Sequence, residues 1–232
     1  MQLFFSSNVR LNALVQLDEQ EAHHAVKVLR KSIGDKIHLF DGTGNVFAGE
    51  IVQADKKGVV VKVLAAEKVS SQKANIHLAV ALPKNAERLE WMLEKVTEIG
   101  VKEITPLICR YSERKDFKRE RCEKILISAC KQSKNLFLPK LNEPILFTDW
   151  IKQKSKATRL IAWCEEKTQH IKELLMSKDD VEIAIGPEGD FSKEEIDAAL
   201  HNGFVPVSLG KSRLRLETAA LYAVVVLNAW KE

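Results

Sequence analysis

The sequence lacks the features that mark several special classes of protein. It has only 10 glycines and 6 prolines in 232 residues, which excludes a fibrous or low-complexity chain. No apolar run is long enough to cross a bilayer, and the first ten residues do not have the pattern of a secretory signal. The four cysteines form no CxxC pair, so free thiols in a reducing cytoplasm are expected at Cys109, Cys122, Cys130 and Cys164.

The charge of the chain is concentrated in one segment. The apolar fraction of 45% and the charged fraction of 29% are ordinary for a globular protein, and the length suits two small domains. The formal net charge is +4, but residues 110–140 alone hold ten Lys or Arg against four Asp or Glu. Such an asymmetry indicates a polyanionic partner, usually a nucleic acid. A solvated helix face is the alternative interpretation of this charge run.

The first 70 residues have the pattern of a small β-domain. Short stretches rich in β-branched residues predict strands at 36–40, 46–53 and 59–64, and an Asp-Lys-Lys-Gly turn separates the last two. Asp18 followed by Glu21 predicts a capping box at the start of a single helix. Several short strands with one helix are typical of a small β-barrel. The polar stretch 65–75 is predicted to be a linker.

The rest of the chain alternates between strands and helices. Ser192 and Glu195 predict a capping box for one of these helices. Alternation over this length predicts a largely parallel sheet covered on both faces, in an α/β fold. The predicted strands are 76–82, 103–109, 159–164, 181–185 and 204–209, and the predicted helices include 86–99, 117–133, 169–176 and 217–230.

One loop that follows a predicted strand has the composition of a ligand-binding loop. Gly186-Pro187-Glu188-Gly189 combines glycines, which allow the backbone to approach a ligand closely, with a proline that fixes the turn. In a parallel sheet, ligands bind at the loops beyond the carboxyl ends of the strands. No GKS or GKT follows, so the loop is not a P-loop. An ordinary strand-to-helix turn is the alternative interpretation.

A second loop, residues 208–220, places three cations before a predicted helix start. Lys211, Arg213 and Arg215 are followed by Glu217 and Thr218. Arginines in this position could hold a phosphate or an enolate-like oxygen, and the first N–H groups of the helix face the same loop. A solvated basic loop is the alternative interpretation.

These two loops occur together with other segments in a combination that resembles one family. The segments are GPEGDFS and LGKSRLRLETAAL, with LEW, KVTEIGV and ITPL upstream of them and HH, VLR, GD and FDG near the N-terminus. The chain resembles bacterial ribosomal RNA uridine-N3 methyltransferases of the RsmE type, which belong to the SPOUT or α/β-knot class. The resemblance covers nearly the whole chain.

The resemblance implies a fold and an activity. It implies a PUA-like β-barrel domain in residues 1–70 and a trefoil-knotted SPOUT methyltransferase domain in residues 71–232. The implied reaction is methyl transfer from S-adenosylmethionine to uracil N3 in 16S ribosomal RNA, by a cytoplasmic homodimer. Two alternatives stay open, namely a non-catalytic RNA-binding protein and a SPOUT methyltransferase with another RNA target.

The resemblance also implies roles for individual residues. Arg215 would stabilise negative charge on the uracil ring, and Glu98 or Glu217 would accept its N3 proton. The expected cofactor-binding residues are Trp163, Ile185, Gly186, Pro187, Glu188, Gly189, Ser208, Leu209, Gly210, Leu214, Thr218 and Ala219. The expected RNA-binding residues of the first domain are Arg10, His24 and Arg30, with a structural role as the alternative for His24 and Arg30. The charge of the basic segment adds Arg110, Arg114, Lys115 and Lys118 as expected phosphate contacts.

Four positions depart from the family pattern. Gln2 and Asn135 stand where the family usually has arginine, and Lys131 stands where it usually has glutamate. Asp190 replaces a glycine that often follows the GPEG segment. These departures leave the cofactor loops in place and bear on the details of RNA contact.

Overall fold

The computed structural model describes residues 2–55, 58–70, 75–113, 116–163, 168–174 and 180–229. The chain divides into two compact units, Met1–Ser71 with Cys130–Leu138, and Gln72–Ala129 with Pro139–Glu232. The sequence pattern does not anticipate that residues 130–138 belong with the N-terminal unit. Within the described part of the chain, no helix has the length and apolarity that a membrane span requires.

The N-terminal unit is built on a five-stranded sheet. Its strands are β1 (Leu3–Phe5), β2 (Leu14–Gln16), β3 (Lys36–Phe40), β4 (Asn45–Asp55) and β5 (Gly58–Lys68), arranged in the order β1-β3-β4-β5-β2. β4 and β5 form the predicted hairpin, with Asp55 opposite Gly58. The core of this unit includes the fully buried side chains of Phe4, Leu39 and Ile51.

The predicted linker is wrong for residues 65–68. β5 continues to Lys68, because the backbone of this polar stretch pairs with β4 from Ala48 back to Asn45. The side chains of this part of β5 are exposed, so its composition resembles that of a loop. Backbone pairing with a neighbouring strand leaves no signature in such a segment.

The single predicted helix of this unit is divided into two forms. An α-helix, α1 (Glu19–His23), leads into a π-helix over His24–Val28. Asp18 accepts a hydrogen bond from the backbone N–H of Glu21, as predicted, at 2.8 Å. The reciprocal half of the predicted capping box is replaced by an ion pair, because the buried carboxylate of Glu21 accepts hydrogen bonds from Lys131 Nζ at 2.7 and 2.9 Å.

The C-terminal unit contains a parallel sheet, as the alternating pattern predicts. Its strands are β6 (Ile76–Ala81), β7 (Glu103–Ile108), β8 (Lys140–Leu141), β9 (Ile145–Leu146), β10 (Thr158–Ala162), β11 (Val181–Ile185) and β12 (Val205–Val207). The order is β12-β10-β11-β6-β7-β8, and β9 also pairs with β7. All pairings are parallel, so the carboxyl ends of β10, β11 and β12 meet at one edge.

Helices flank this sheet. They are α2 (Ala86–Ile99), α3 (Arg119–Ser133), α4 (Phe147–Trp150), α5 (Ile171–Leu174), α6 (Lys193–His201) and α7 (Leu216–Ala229). The predicted capping box of α6 is confirmed, with the Ser192 and Glu195 side chains each bonding the other's backbone N–H. α7 contacts α2 and the central strands β6 and β11, which places the start of α7 beside the carboxyl ends of the sheet.

Candidate functional site

The two loops singled out in the sequence enclose one cavity of about 300 Å³ at the carboxyl ends of β10, β11 and β12. Most of the predicted cofactor-binding residues line it. They are Trp163, Ile185, Gly186, Pro187, Glu188, Leu209, Gly210, Leu214 and Ala219. Three others, Gly189, Ser208 and Thr218, lie in the described structure but are not among the lining residues.

The strand-to-helix loop after β11 is shaped by two unusual positions. A Cβ atom on Gly186 would lie 3.0 Å from the ring of Phe191, so glycine allows the loop to close over this ring. Asp190 has φ +64, the left-handed conformation that glycine adopts most readily. Its side chain accepts a hydrogen bond from the backbone N–H of Phe191 at 2.8 Å. Aspartate therefore preserves the turn at a position where the family often has glycine.

Glu188 ties this loop to a neighbouring loop. Its Oε1 accepts a hydrogen bond at 3.1 Å from the backbone N–H of Lys84, in the loop between β6 and α2. Its backbone carbonyl lies 3.5 Å from Arg213 Nη2, in the second loop of the cavity. Glu188 therefore joins three loops at the carboxyl edge of the sheet.

The second loop turns at Gly210. Gly210 has φ +123, which L-residues with side chains rarely adopt. Ser208 supports this turn, because its Oγ accepts from the Gly210 N–H at 3.2 Å and its backbone pairs with Gln169 and Ile171. Ser208 thus stabilises the shape of the loop, although it does not itself line the cavity.

The predicted catalytic residues have different surroundings. Arg215 is exposed and lines the cavity. Glu217, the second residue of α7, is buried, with Oε1 at 3.6 Å from Arg88 Nε. Its Oε2 has no hydrogen-bond partner among the described atoms. Glu98 lies on α2, where Lys95 Nζ donates to its carboxylate at 3.0 and 3.2 Å, and it is not a lining residue.

Two of the predicted RNA-binding residues of the N-terminal unit, His24 and Arg30, lie where the backbone conformation is irregular. Arg10 is exposed. His24 begins the π-helix, and the N–H of Leu29 reaches back five residues to the His24 carbonyl at 3.0 Å. Arg30, just after this helix, has φ +54. Lys131 Nζ lies 3.4 Å from His24 Nδ1, so the family departure at position 131 contacts a predicted RNA residue.

The predicted RNA-binding residues of the C-terminal unit differ in their surroundings. Arg110 pairs with Glu194 at 2.8 Å, and Lys118 is exposed. Arg114 and Lys115 lie outside the described residues. Elsewhere in the basic segment, Arg119 and Arg121 form ion pairs with acids, so part of the local charge excess is neutralised.

Comparison with known proteins gives the family of the chain. Residues 70–228 match the family described as an RNA methyltransferase domain, and residues 17–64 match an RNA methyltransferase PUA domain. The chain belongs to this RNA methyltransferase family. It is 31% identical to the ribosomal RNA small subunit methyltransferase E of Buchnera aphidicola subsp. Acyrthosiphon pisum, over 97% of this chain and 92% of the relative.

Two solved structures resemble this RNA methyltransferase over its whole length. A probable rRNA-methyltransferase from Porphyromonas gingivalis is 41% identical, with a TM-score of 0.89, covering 97% of this chain and 95% of that one. The ribosomal RNA small subunit methyltransferase E of Neisseria gonorrhoeae, bound to S-adenosylmethionine, is 28% identical, with a TM-score of 0.87 and the same coverage. The predicted family, and the predicted SPOUT fold with a PUA-like domain, are confirmed.

Five further residues that line the cavity of this RNA methyltransferase were not among the predicted cofactor-binding residues, although Arg213 was named as a cation of the second loop. They are Ala162, Asp190, Ser212, Arg213 and Leu216. All but Ala162 lie within the two loops or directly beside them, so taking every residue of these loops as a candidate would have found them. The way in which Ser208 stabilises the loop could not be read from the local sequence, since it depends on backbone pairing with residues 169–171.

Proposed function

We propose that this chain transfers the methyl group of S-adenosylmethionine to N3 of a uracil in 16S ribosomal RNA. The observation that carries the proposal is the meeting of the 186–190 and 208–215 loops around one cavity, with Arg215 in its wall. The relatives named ribosomal RNA small subunit methyltransferase E support the choice of RNA. The neighbour solved with S-adenosylmethionine supports the choice of cofactor.

The cavity fits S-adenosylmethionine in size and in chemistry. Its volume of about 300 Å³ is at the lower end of the range of ligand pockets. Ile185, Leu209 and Leu214 offer apolar walls, and the backbone at Gly186 and Gly210 offers amide and carbonyl groups for the edge of an adenine ring. When bound, the cofactor supplies an electrophilic methyl group. The residues of the chain hold it, orient the acceptor base and exclude water.

Arg215 is assigned to charge stabilisation. Loss of the N3 proton leaves negative charge on the uracil imide, and a fixed guanidinium beside that charge lowers the energy of the transition state. Arg215 lines the cavity from its exposed side, where an incoming base would arrive. The planar guanidinium can donate hydrogen bonds to a carbonyl oxygen of the imide anion, which carries part of this negative charge.

Glu217 is the better supported of the two candidate proton acceptors. Its buried Oε2 has no hydrogen-bond partner among the described atoms, and an open carboxylate oxygen can accept a proton. It follows Arg215 and Leu216, which both line the cavity, although Glu217 itself is not among the lining residues. The carboxylate of Glu98 is already engaged by Lys95, and this pairing favours a structural role for Glu98.

The substrate must reach the cavity as an unpaired nucleotide. An imide within a base pair cannot meet a methyl donor, so the target uridine is single-stranded or flipped out of its helix. Arg10, His24 and Arg30 are proposed to hold RNA phosphates or base edges on the N-terminal unit. A cytoplasmic location is proposed, and Cys109, Cys122 and Cys130 carry no disulfide in the described structure.

A homodimer is proposed from the surface of two helices in the C-terminal unit. α7 buries Ala220, Val224 and Leu227 within the chain but leaves Val225 40% exposed. α2 leaves Trp91 42% exposed. Large apolar side chains exposed on two contacting helices suit a two-fold interface. Light scattering at micromolar concentration should give twice the monomer mass, and a monomer mass would contradict this proposal.

Methyl transfer to small ribosomal subunits from a strain that lacks the modification tests the proposed function. Mass spectrometry of the digested RNA should find N3-methyluridine as the new nucleoside. A ribose-methylated product would assign the chain to another SPOUT target. Absence of both product and S-adenosylmethionine binding by calorimetry, with RNA binding retained, would favour the non-catalytic alternative.

A further inference from the structure

Tyr111 is an exposed aromatic residue beside the cofactor loop. Its side chain belongs to the loop after β7, and the residue is 50% exposed. A shallow depression of about 490 Å³ is lined by Arg110, Tyr111, Ser112, Glu113 and Gly189. Residues of the 186–190 loop therefore line both the proposed cofactor cavity and the Tyr111 depression.

The turn that carries Tyr111 is held firmly. The Ser112 N–H donates to the Cys109 carbonyl at 3.1 Å, and Ser112 Oγ accepts from the Cys109 N–H at 2.9 Å. The Arg110 N–H donates to Glu195 Oε1 at 2.9 Å, which attaches the turn to the capping box of α6. A single exposed aromatic side chain is common on protein surfaces. At Tyr111, however, the three hydrogen bonds fix the backbone of the turn relative to α6.

Gly189 permits the close approach of this turn to the cofactor loop. A Cβ atom at position 189 would lie 3.1 Å from the Cβ of Tyr111. A larger residue at position 189 would therefore displace the aromatic ring from the edge of the cofactor loop. The close approach of Tyr111 therefore explains the glycine at position 189, a residue that does not line the proposed cofactor cavity.

The charges around Tyr111 favour a base over a phosphate as its ligand. Among the described residues, Arg110 and Lys84 carry the positive charges at this turn, and each forms an exposed ion pair with a carboxylate, at 2.8 Å to Glu194 and 2.6 Å to Glu113. The Arg110 guanidinium lies 5.8 Å from the centre of the Tyr111 ring. The half-exposed aromatic ring of Tyr111 is a further group that RNA can contact at this turn. Unpaired bases stack on exposed aromatic rings of this kind, largely independently of their sequence.

We infer that Tyr111 stacks against an unpaired RNA base next to the target uridine, and so positions the RNA backbone for entry of that uridine into the cofactor cavity. This inference rests on the proposed function, because it takes RNA as the substrate. It adds a substrate-positioning residue to a loop that the cofactor does not require.

The test compares Tyr111→Ala with Tyr111→Phe in methyl transfer to unmodified small subunits. Loss of one stacked base should raise the KM for RNA by about tenfold to a hundredfold in Tyr111→Ala. Tyr111→Phe keeps the ring and should stay within about twofold of wild type. The Kd for S-adenosylmethionine should not change in either variant. Leu200→Ala, which removes another exposed apolar side chain of the same unit, is the matched control and should have wild-type KM.

A second measurement reports stacking directly. A short single-stranded RNA that contains 2-aminopurine should lose fluorescence on binding to wild type and Tyr111→Phe, and should keep it with Tyr111→Ala. Wild-type KM in Tyr111→Ala, an equal loss in Tyr111→Phe, or a change of oligomeric mass in Tyr111→Ala would each overturn the inference. A methylated nucleoside other than N3-methyluridine, with the Tyr111→Ala defect intact, would refute the proposed target and leave this inference standing.

Discussion

The two ends of the same parallel strands use their polar groups in opposite ways. At the carboxyl ends, the cavity of about 300 Å³ is bounded by glycines, apolar side chains and the exposed Arg215. At the amino ends, a cavity of about 440 Å³ is lined by His77, Glu103, Glu182 and other polar residues. The larger cavity is therefore at the end opposite the 186–190 and 208–215 loops, so volume alone does not favour the proposed cofactor site.

The polar groups at the amino ends are bonded to one another. Arg159 Nε donates to Glu182 Oε2 at 3.0 Å, and its guanidinium lies 4.0 Å from the centre of the Phe204 ring. His77 Nε2 lies 2.7 Å from Thr105 Oγ1. At the carboxyl ends, by contrast, Glu217 keeps a buried oxygen with no partner among the described atoms. Side chains whose partners lie within the chain stabilise the fold, whereas a buried carboxylate oxygen without a partner, next to cavity-lining residues, suits the chemistry proposed for Glu217.

The largest expected effect is the loss of activity on changing the arginine at the carboxyl ends. Arg215→Gln should lower kcat by about 10²–10³-fold, because it removes a fixed positive charge from the transition state. The melting temperature and the Kd for S-adenosylmethionine should stay near wild type, since Arg215 is exposed. Lys211→Gln, at another exposed cation of the same loop, is the control. A kcat within threefold of wild type in Arg215→Gln would remove this residue from the mechanism.

The arginine at the amino ends should give the opposite result. Arg159→Gln breaks an ion pair whose side chains are 10% and 16% exposed, and the expected loss is about 3 kcal/mol of unfolding free energy. Its kcat per folded molecule should be unchanged. Chemical denaturation measures the stability, and Lys152→Gln, in an exposed pair with Asp149, should change it by less than about 1 kcal/mol. A folded Arg159→Gln with low kcat would break the contrast between the two ends.

The pH dependence of stability sharpens the same contrast. Burial alone would raise the pKa of Glu182, but hydrogen bonds from His77 and Ser155 and the charge of Arg159 lower it below its ordinary value of 4.5. A carboxylate with a lowered pKa in the folded state stabilises the protein fully above the unfolded pKa, and this contribution is lost as the pH falls through the folded pKa.

Denaturation of wild type and Glu182→Gln across a pH series measures this contribution. The difference in unfolding free energy between the two proteins should shrink as the pH falls below the ordinary pKa of the carboxyl group. Glu87→Gln, at an exposed position of α2, is the control. A difference that grows on acidification would show that the sign of this pKa shift is wrong.

The smallest expected effect concerns the backbone of the 186–190 loop. Asp190→Gly should change stability by less than about 0.5 kcal/mol, because glycine accepts a positive φ and only one local hydrogen bond is lost. Asp190→Val should cost roughly 1–2 kcal/mol, because a β-branched residue is strained in this conformation. Thermal unfolding and calorimetric titration with S-adenosylmethionine measure both effects. Equal stability of the two variants would contradict the assigned strain.

Elements with strong local patterns were predictable from the sequence. The strand Lys36–Phe40, the helix Ala86–Ile99 and the strand Val181–Ile185 have the predicted bounds. Each combines a clear apolar period with nearby turn or capping residues. The 186–190 and 208–215 loops were predictable for the same reason, since a strand, a glycine and a helix start follow one another in a short stretch of sequence.

Features that depend on distant contacts were not predictable. Glu21 was expected to complete a capping box, but it pairs with Lys131, 110 residues away. The π-helix over His24–Val28 and the two-residue strands Lys140–Leu141 and Ile145–Leu146 have no local pattern of their own. The network around Arg159 joins side chains from several strands, and neighbouring residues in the sequence give no sign of it.

The placement of Cys130–Leu138 in the N-terminal unit has a consequence for how the protein is made. Cys130 packs with Phe40 and Leu3, and Phe137 pairs with Thr43, so the first unit is incomplete without this later segment. Chains emerge from the ribosome at roughly 5–20 residues per second, and N-terminal domains generally fold first. Here the N-terminal sheet must wait several seconds, while residues 72–129 are synthesised, before its last contacts exist. The nascent chain carries an unfinished core through that interval, and a chaperone that holds it would act before residue 138 leaves the exit tunnel.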